Sequence, residues 1–318
     1  MGKRTGLLLL DKLKKNWILP GIAVACLWGY MYPEAGEYLG RRLGLLVASI
    51  MFLMGMGIGF RRFRSRIHAW KHIAVVMSFC YLAAPFLALL IAVSFFREQL
   101  PVYTGLILLG TTSTTLSTCI VFTRLAGGDE ALALWLSVFS SLLCVLVSPV
   151  LIYCFIGAWI EVPVVAMMLR LLVVMFLPLA AGMSLRAFLG EHKVAPVGGL
   201  LTGSCTVIVL AVIMVSVAKG RDILGSSQSL PVILAVAVLH LTLILLVRLA
   251  TEYLDFTKGK KIAVLFCSVQ KTLQIPAYIA IEILDMPSAA IAPVLYHVFQ
   301  LVIDSLLVSY FSSNPDYS

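Results

Sequence analysis

Gly110 to Thr123 reads GTTSTTLSTCIVFT and Phe266 to Pro276 reads FCSVQKTLQIP, each inside an apolar run long enough to cross a bilayer. A lipid-facing helix gains nothing from Thr111, Thr112, Ser113, Thr114 and Thr115, or from Gln270, Lys271, Thr272 and Gln274. Every desolvated polar group needs a partner. Polar breaks at membrane depth line cavities, which is how carriers of small solutes or ions are built.

Composition agrees. Hydrophobic residues make up 61% of 318 positions, charged residues 12%, and the mean hydropathy is +1.03, whereas a soluble domain carries roughly a quarter charged residues. The 24 Lys and Arg against 15 acids belong to membrane topology rather than to a nucleic-acid groove, for which the spans leave no room. The seven cysteines, Cys26, Cys80, Cys119, Cys144, Cys154, Cys205 and Cys267, fall in apolar segments without a CxxC pair. Neither disulfides nor a metal site is expected, and no cofactor. The opening MGKRTGLLLLDKLKKNW reads as a retained, interfacial amphipathic helix rather than a cleaved leader.

A crossing needs about 20 apolar residues, which divides the chain into ten expected spans at 17–33, 43–60, 73–96, 102–124, 130–158, 163–189, 196–218, 230–251, 261–284 and 288–312. Sorted by alternate loops, 17 basic residues fall on one side and 5 on the other, with Arg170 and Lys271 inside spans. Both termini are therefore expected in the cytoplasm, which in a bacterium means a multi-pass protein of the inner membrane. The turn at Ala158 to Val162 splits the spans into two sets of five, residues 1–158 and 159–318. An odd number per half gives the halves opposite orientations, the arrangement found in inverted-repeat carriers. Thr115-Leu116 and Thr272-Leu273, each followed by a turn bearing an acid, Asp129 and Asp285, echo that symmetry.

Particular residues carry more than one reading. Lys271 near the middle of a span is costly unless paired or facing water; it either stands in for a bound cation, and could exchange its proton, or is a snorkelling or paired structural lysine. Gln270, Thr272 and Gln274 line a cavity or join helices, and Pro276 favours the break. Thr115, Ser117, Thr118 and Cys119 form the opposing half of the crossing, where a helix start can receive an anion. In the last span His297, Gln300 and Asp304 share a face with Tyr296 nearby. Asp304 is a partner for Lys271, a proton relay, or part of an interhelical network. His240 reads as a hydrogen-bonded packing residue, Arg170 as snorkelling, meeting an anionic substrate or, in preference, packing, and Asp129 with Glu130 as helix caps. Arg61, Arg62, Arg64 and Arg66 beside a span set topology and touch anionic lipid.

Thr118 to Leu134 (TCIVFTRLAGGDEALAL) with Ser140 to Leu151 (SSLLCVLVSPVL), Phe266 to Leu273 (FCSVQKTL), and Tyr296 to Gln300 (YHVFQ) are similar to the bile acid:sodium symporter superfamily. The likeness runs over essentially the whole chain and is closest to the branch of solute carrier family 10 member 7 and its bacterial relatives. It implies an all-α polytopic fold of ten transmembrane helices, with a panel from spans 1, 2, 6 and 7 and a core from spans 3 to 5 and 8 to 10. Unwound spans 4 and 9 would cross in that core. The sodium-site positions depart from the pattern: a glutamate is replaced by Phe266, a Ser-Asn pair by Cys119 and Ile120, and a third-span glutamine by Cys80. Thiol, phenyl and alkyl groups cannot supply the hard oxygen shell that sodium wants, so sodium coupling does not carry over.

The expected function is a symporter-like secondary transporter of a small organic anion, working by alternating access, with proton coupling or Lys271 in place of sodium. A metalloid permease using Cys119 fits less well, since the ninth-span acid is missing. The alternative class is a non-transporting regulator of ion or calcium homeostasis. No HExxH or GxSxG motif, GxxxxGK[ST] loop or paired intramembrane aspartates point to an enzyme.

Overall fold

The computed structural model describes residues 18–59 and 69–313, and all regular structure among them is helical. In chain order the helices are α1 (Ile18–Met31), α2 (Pro33–Gly40), α3 (Leu43–Gly57), α4 (Trp70–Phe95), α5 (Leu100–Thr111), α6 (Thr118–Leu125) and α7 (Glu130–Ile156). They continue as α8 (Val164–Leu189), α9 (Gly198–Lys219), α10 (Ser229–Tyr253), α11 (Lys258–Val269), α12 (Gln274–Tyr278) and α13 (Ile291–Ser313). The opening amphipathic stretch and Arg61, Arg62, Arg64 and Arg66 lie outside the described residues.

Among the described residues seven helices are long and apolar enough to cross a membrane, counting Lys258–Ile283 as one, and α2 with α3, bent by 70°, would make an eighth. Pro20–Met31 and Leu100–Thr111 are shorter apolar helices. Length and hydropathy thus carry seven or eight of the ten expected spans. Outward faces carry Phe86, Leu146, Leu241 and Leu249, all exposed, so hydrocarbon is their solvent and the chain is an integral multi-pass membrane protein.

Two groups of helices pack chiefly among themselves. In one, α3 lies along α8, and α9 lies against α1, α2 and α3. Close approach depends on glycine: a Cβ on Gly55 would sit 2.3 Å from the Leu179 carbonyl oxygen, and one on Gly182 would sit 2.1 Å from that of Phe52. In the other, α4 packs on α5, α7 on α5 and α11, and α10 and α13 on each other and on the broken helices.

Every residue from Ile262 to Ala280 is buried, so the polar break in that stretch lies within protein, where irregular backbone is tolerated. Local signals set the elements around it. Gly127, at φ 75°, makes the turn into α7, whose first turn Asp129 caps by accepting from the Leu132 amide at 3.0 Å. Asp285 instead adopts φ 47°, so the two turn acids have different local roles.

Candidate functional site

The threonine run ends α5 and then satisfies its own carbonyls. Thr111 Oγ1 donates to Ile107 O at 2.8 Å and Thr112 Oγ1 to Leu109 O at 3.0 Å. Side chains that bond back in this way compete with helical continuation. The chain is extended at Thr112 and resumes as α6 only at Thr118. Carbonyls that the helix can no longer use find distant donors: Ser148 Oγ reaches Thr111 O at 2.5 Å, Lys271 Nζ reaches Thr112 O at 3.1 Å, and the Thr272 amide reaches Ser113 O at 3.0 Å. The last of these joins the two broken helices backbone to backbone.

Lys271 is 1% exposed, so it does not snorkel. Its second acceptor is Cys80 O at 3.1 Å, and the sequence explains why that carbonyl is available. In the π turn Phe79–Ala83 the Ala84 amide bonds to Phe79 O, and the next donor in that register would be Pro85, which has no amide hydrogen. Cys80 O is thereby released for the ammonium. The other acceptor sits just beyond the C-terminal, negative end of the α5 dipole. Both acceptors recorded for the ammonium are backbone carbonyls.

Of the readings open for Asp304, pairing with Lys271 is not the one that forms. Asp304 receives Gln270 Nε2 on Oδ2 at 2.8 Å and faces His240 Nε2 with Oδ1 at 3.1 Å. The reason is register: Gln270, one residue before the lysine, points to α13, and Lys271 points to α4 and α5. Gln300 completes the join by accepting from the Lys271 amide at 2.8 Å and donating to the Lys271 carbonyl at 3.0 Å, with its Nε2 2.9 Å from His297 Nδ1. The shared face of His297, Gln300 and Asp304 does point inward, all three being buried.

Gln270 Oε1 accepts from Thr115 Oγ1 at 2.7 Å and Thr118 Oγ1 at 2.8 Å, and Thr115 Oγ1 also accepts from the Cys119 amide at 3.2 Å. Cys119 Sγ is turned to Thr115 O at 2.6 Å and to Ser137 Oγ at 2.9 Å. Thr272 donates to Gln274 across the start of α12.

A cavity of about 500 Å³ lies beside this crossing. One wall carries Thr115, Ser117, Thr118, Thr272, Gln274 and His297; the opposite wall comes from α1, α3 and α9, including Met51, Thr202 and Cys205. Of the expected binding residues, Cys119, Gln270 and Lys271 stand behind that wall rather than on it. Ser113 and Thr114 are also on it and buried, with the thiols of Cys144 and Cys119 beside their hydroxyls. Arg124, Arg186 and Glu130 also line the space. Arg186 Nη1 donates to Met56 O at 2.9 Å and Gly57 O at 2.8 Å. Arg170 instead donates to Glu282 O at 2.9 Å, away from the cavity lining.

Sequence reasoning missed Arg124, Arg186 and the α9 wall. Two arginines near helix ends carry no spacing signal; their place at the cavity arises from packing between distant segments. His240 is the hydrogen-bonded, buried histidine expected, with polar partners at both ring nitrogens.

Comparison with known proteins matches residues 16–313 to the SBF-like CPA transporter family, and the chain belongs to it. It is a member of a transporter family and not an enzyme. Sodium/bile acid cotransporter 7 of Mus musculus is 27% identical over 322 residues, covering 94% of this chain and 93% of the relative. Its namesake in Danio rerio is 24% identical over 319 residues, covering 94% of each. Probable sodium/metabolite cotransporter BASS4, chloroplastic, of Oryza sativa subsp. indica is 24% identical over 288 residues, covering 82% of this chain and 66% of the relative.

Proposed function

We propose that this member of the SBF-like CPA transporter family is a secondary active carrier of a small organic anion that works by alternating access. The observation that carries the reading is the cavity of about 500 Å³ between the α1, α3 and α9 wall and the polar crossing. A bound solute there meets the mobile boundary of the molecule on one side and the two broken helices on the other. Ser113, Thr114, Thr115 and Thr118 bring hydroxyls to the cavity wall, and Arg124 and Arg186 favour an anion over a cation.

The panel is spans 1, 2, 6 and 7, the core is spans 3 to 5 and 8 to 10, and transport moves one against the other. Supporting that division is the packing of α3 with α8 and of α9 with α1 to α3. The halves 1–158 and 159–318 are inverted five-helix repeats, and both termini are cytoplasmic. On that topology the cavity opens inward, because Arg124 and Arg186 belong to the side with 17 basic residues.

Lys271 stands where a coupling cation would stand. Its ammonium takes two backbone carbonyls, Cys80 O and Thr112 O, at 3.1 Å each, which are hard oxygens of the kind an alkali cation prefers. Cys80, Cys119 and Phe266 are fully buried and contribute a thiol, a thiol and a phenyl ring, so sodium is not the coupling ion.

Single cysteines at Ser117 and Thr272, in a cysteine-free chain, test the carrier reading by labelling from each side of the membrane. Reciprocal accessibility that shifts when a transported anion is added is expected; a pattern fixed under all conditions would favour a non-transporting regulator. Candidate anions come from a thermal-shift screen run with and without sodium and across pH.

A further inference from the structure

Buried polar groups on α10 and α13 form a second connected set that substrate binding does not use. His240 Nε2 lies 3.1 Å from Asp304 Oδ1, His240 Nδ1 lies 3.0 Å from Tyr296 Oη, and Tyr296 Oη lies 2.6 Å from Val269 O. His240, Asp304 and Tyr296 each have 0% exposure. Gln270 Nε2 holds the other carboxylate oxygen at 2.8 Å.

Hydrogen polarity around this set has one consistent solution. A carbonyl only accepts, so the contact at Val269 uses the single hydrogen of the tyrosine hydroxyl. Tyr296 Oη must then accept from His240, and Nδ1 carries a hydrogen. Without a further hydrogen, the Nε2 lone pair would face a carboxylate at 3.1 Å, which is repulsive in a dry interior. A proton therefore lies on the Nε2 to Oδ1 axis, as imidazolium with carboxylate or imidazole with carboxylic acid; these are two descriptions of one shared proton.

We infer that His240 and Asp304 form a one-proton binding site whose occupancy is read at the break of the ninth span through Tyr296 and Val269. The inference rests on the carrier reading, in which this proton is the coupling ion. On release the proton passes to water. The one remaining ring hydrogen resides on Nε2 toward the carboxylate, Nδ1 becomes an acceptor, and the tyrosine turns its hydrogen from Val269 O to Nδ1. Three N–H and O–H hydrogens become two, and the carbonyl of the last α11 residue loses its donor beside Gln270. That glutamine is the single side chain between Asp304 and the cavity-lining Thr115 and Thr118.

Other titratable groups near the pair are accounted for. On α13, His297 is held by Gln300. From the break, the Lys271 ammonium is turned to Cys80 O and Thr112 O. From α4, Cys80 lies within electrostatic reach of Tyr296 and turns its thiol to Cys267 O at 3.5 Å; from α11, the Cys267 thiol faces Ala133 O at 3.5 Å. No second carboxylate and no guanidinium is buried among the described residues.

Infrared pH-difference spectra of the purified full chain in lipid, with isotope-labelled aspartate and the proton as the only ligand, test the site between about pH 5 and pH 9. A labelled-aspartate change is expected in the wild type and absent in Asp304→Asn, whose amide can accept from Gln270 and donate to Nε2 with no proton to exchange. In His240→Gln the aspartate change should be altered, because the ring that shares the proton is gone. Because Asp304 is the buried aspartate among the described residues, the wild type alone decides if Asp304→Asn does not fold. No aspartate change in the wild type, or an unchanged spectrum in folded Asp304→Asn, overturns the proposal. Alternating cysteine accessibility without the aspartate signal would leave the carrier standing and remove the proton site; the reverse result would do the opposite.

Discussion

Lys271 and Thr112 are joined across 159 residues by one hydrogen bond, ammonium to carbonyl, at 3.1 Å. The bond ties the break in the ninth span to the carbonyl just past the end of α5. With the Thr272 amide on Ser113 O at 3.0 Å, it makes the two interruptions one structure. Removing the lysine would take the ammonium donor from two buried carbonyls.

Lys271→Ala is therefore expected to lower thermal stability by about 2–4 kcal/mol, from two orphaned carbonyls at roughly 1–3 kcal/mol each offset by relief of the buried charge. If the ammonium occupies the place of a cation, added sodium should raise the melting temperature of this variant and leave the wild type unmoved. A folded variant indifferent to sodium would remove the substitution argument. Uptake should fall in the same variant; undiminished uptake would deny the lysine a transport role.

Gln270→Leu should be more damaging than its size suggests. It strips the donor from Asp304 Oδ2 and the acceptor from Thr115 and Thr118, and the expected loss is about 3 kcal/mol, because buried partners are left unmade. Thr118→Val removes one member only and should cost about 1 kcal/mol. Denaturation of the two variants in one detergent compares them, and equal losses would contradict the hub role of the glutamine.

Arg124→Gln should weaken binding of a transported anion about tenfold, seen as a raised KM with little change in kcat. Arg186→Gln should act on both constants, because its guanidinium also holds Met56 O and Gly57 O at the end of α3. Initial-rate uptake in proteoliposomes separates the two patterns. Identical KM values for wild type and Arg124→Gln would argue against an anion passing this residue.

Gly182→Val should prevent α8 from lying against α3, since a Cβ there falls 2.1 Å from Phe52 O, a backbone atom that cannot step aside. Loss of monodisperse protein on size-exclusion chromatography is the expected reading. Gly57→Ala, at the end of the facing α3 with open space around the added methyl, is the control and should behave as wild type.

Much was legible in the residues alone. Transfer of apolar side chains to hydrocarbon is additive along a chain, so membrane character follows from composition, and the polar runs at Gly110 to Thr123 and Phe266 to Pro276 mark where helices stop. The inward face of His297, Gln300 and Asp304 followed from helical spacing. Capping by Asp129 followed from its place before a helix start.

Partner choice was not legible, because it depends on which groups a long-range packing brings within 3 Å or so. Asp304 was a reasonable match for Lys271 by charge, yet the fold gives the carboxylate to His240 and Gln270 and the ammonium to two carbonyls. Cys80 O became an acceptor through a π turn followed by Pro85, and only the approach of the ninth span made that matter. The cavity likewise needed α9 opposite the threonine run. Local sequence sets where a backbone must break, because solvation of each residue is a local quantity; which distant group satisfies the break is settled by three-dimensional packing, because a hydrogen bond exists only between atoms that the whole chain has placed together.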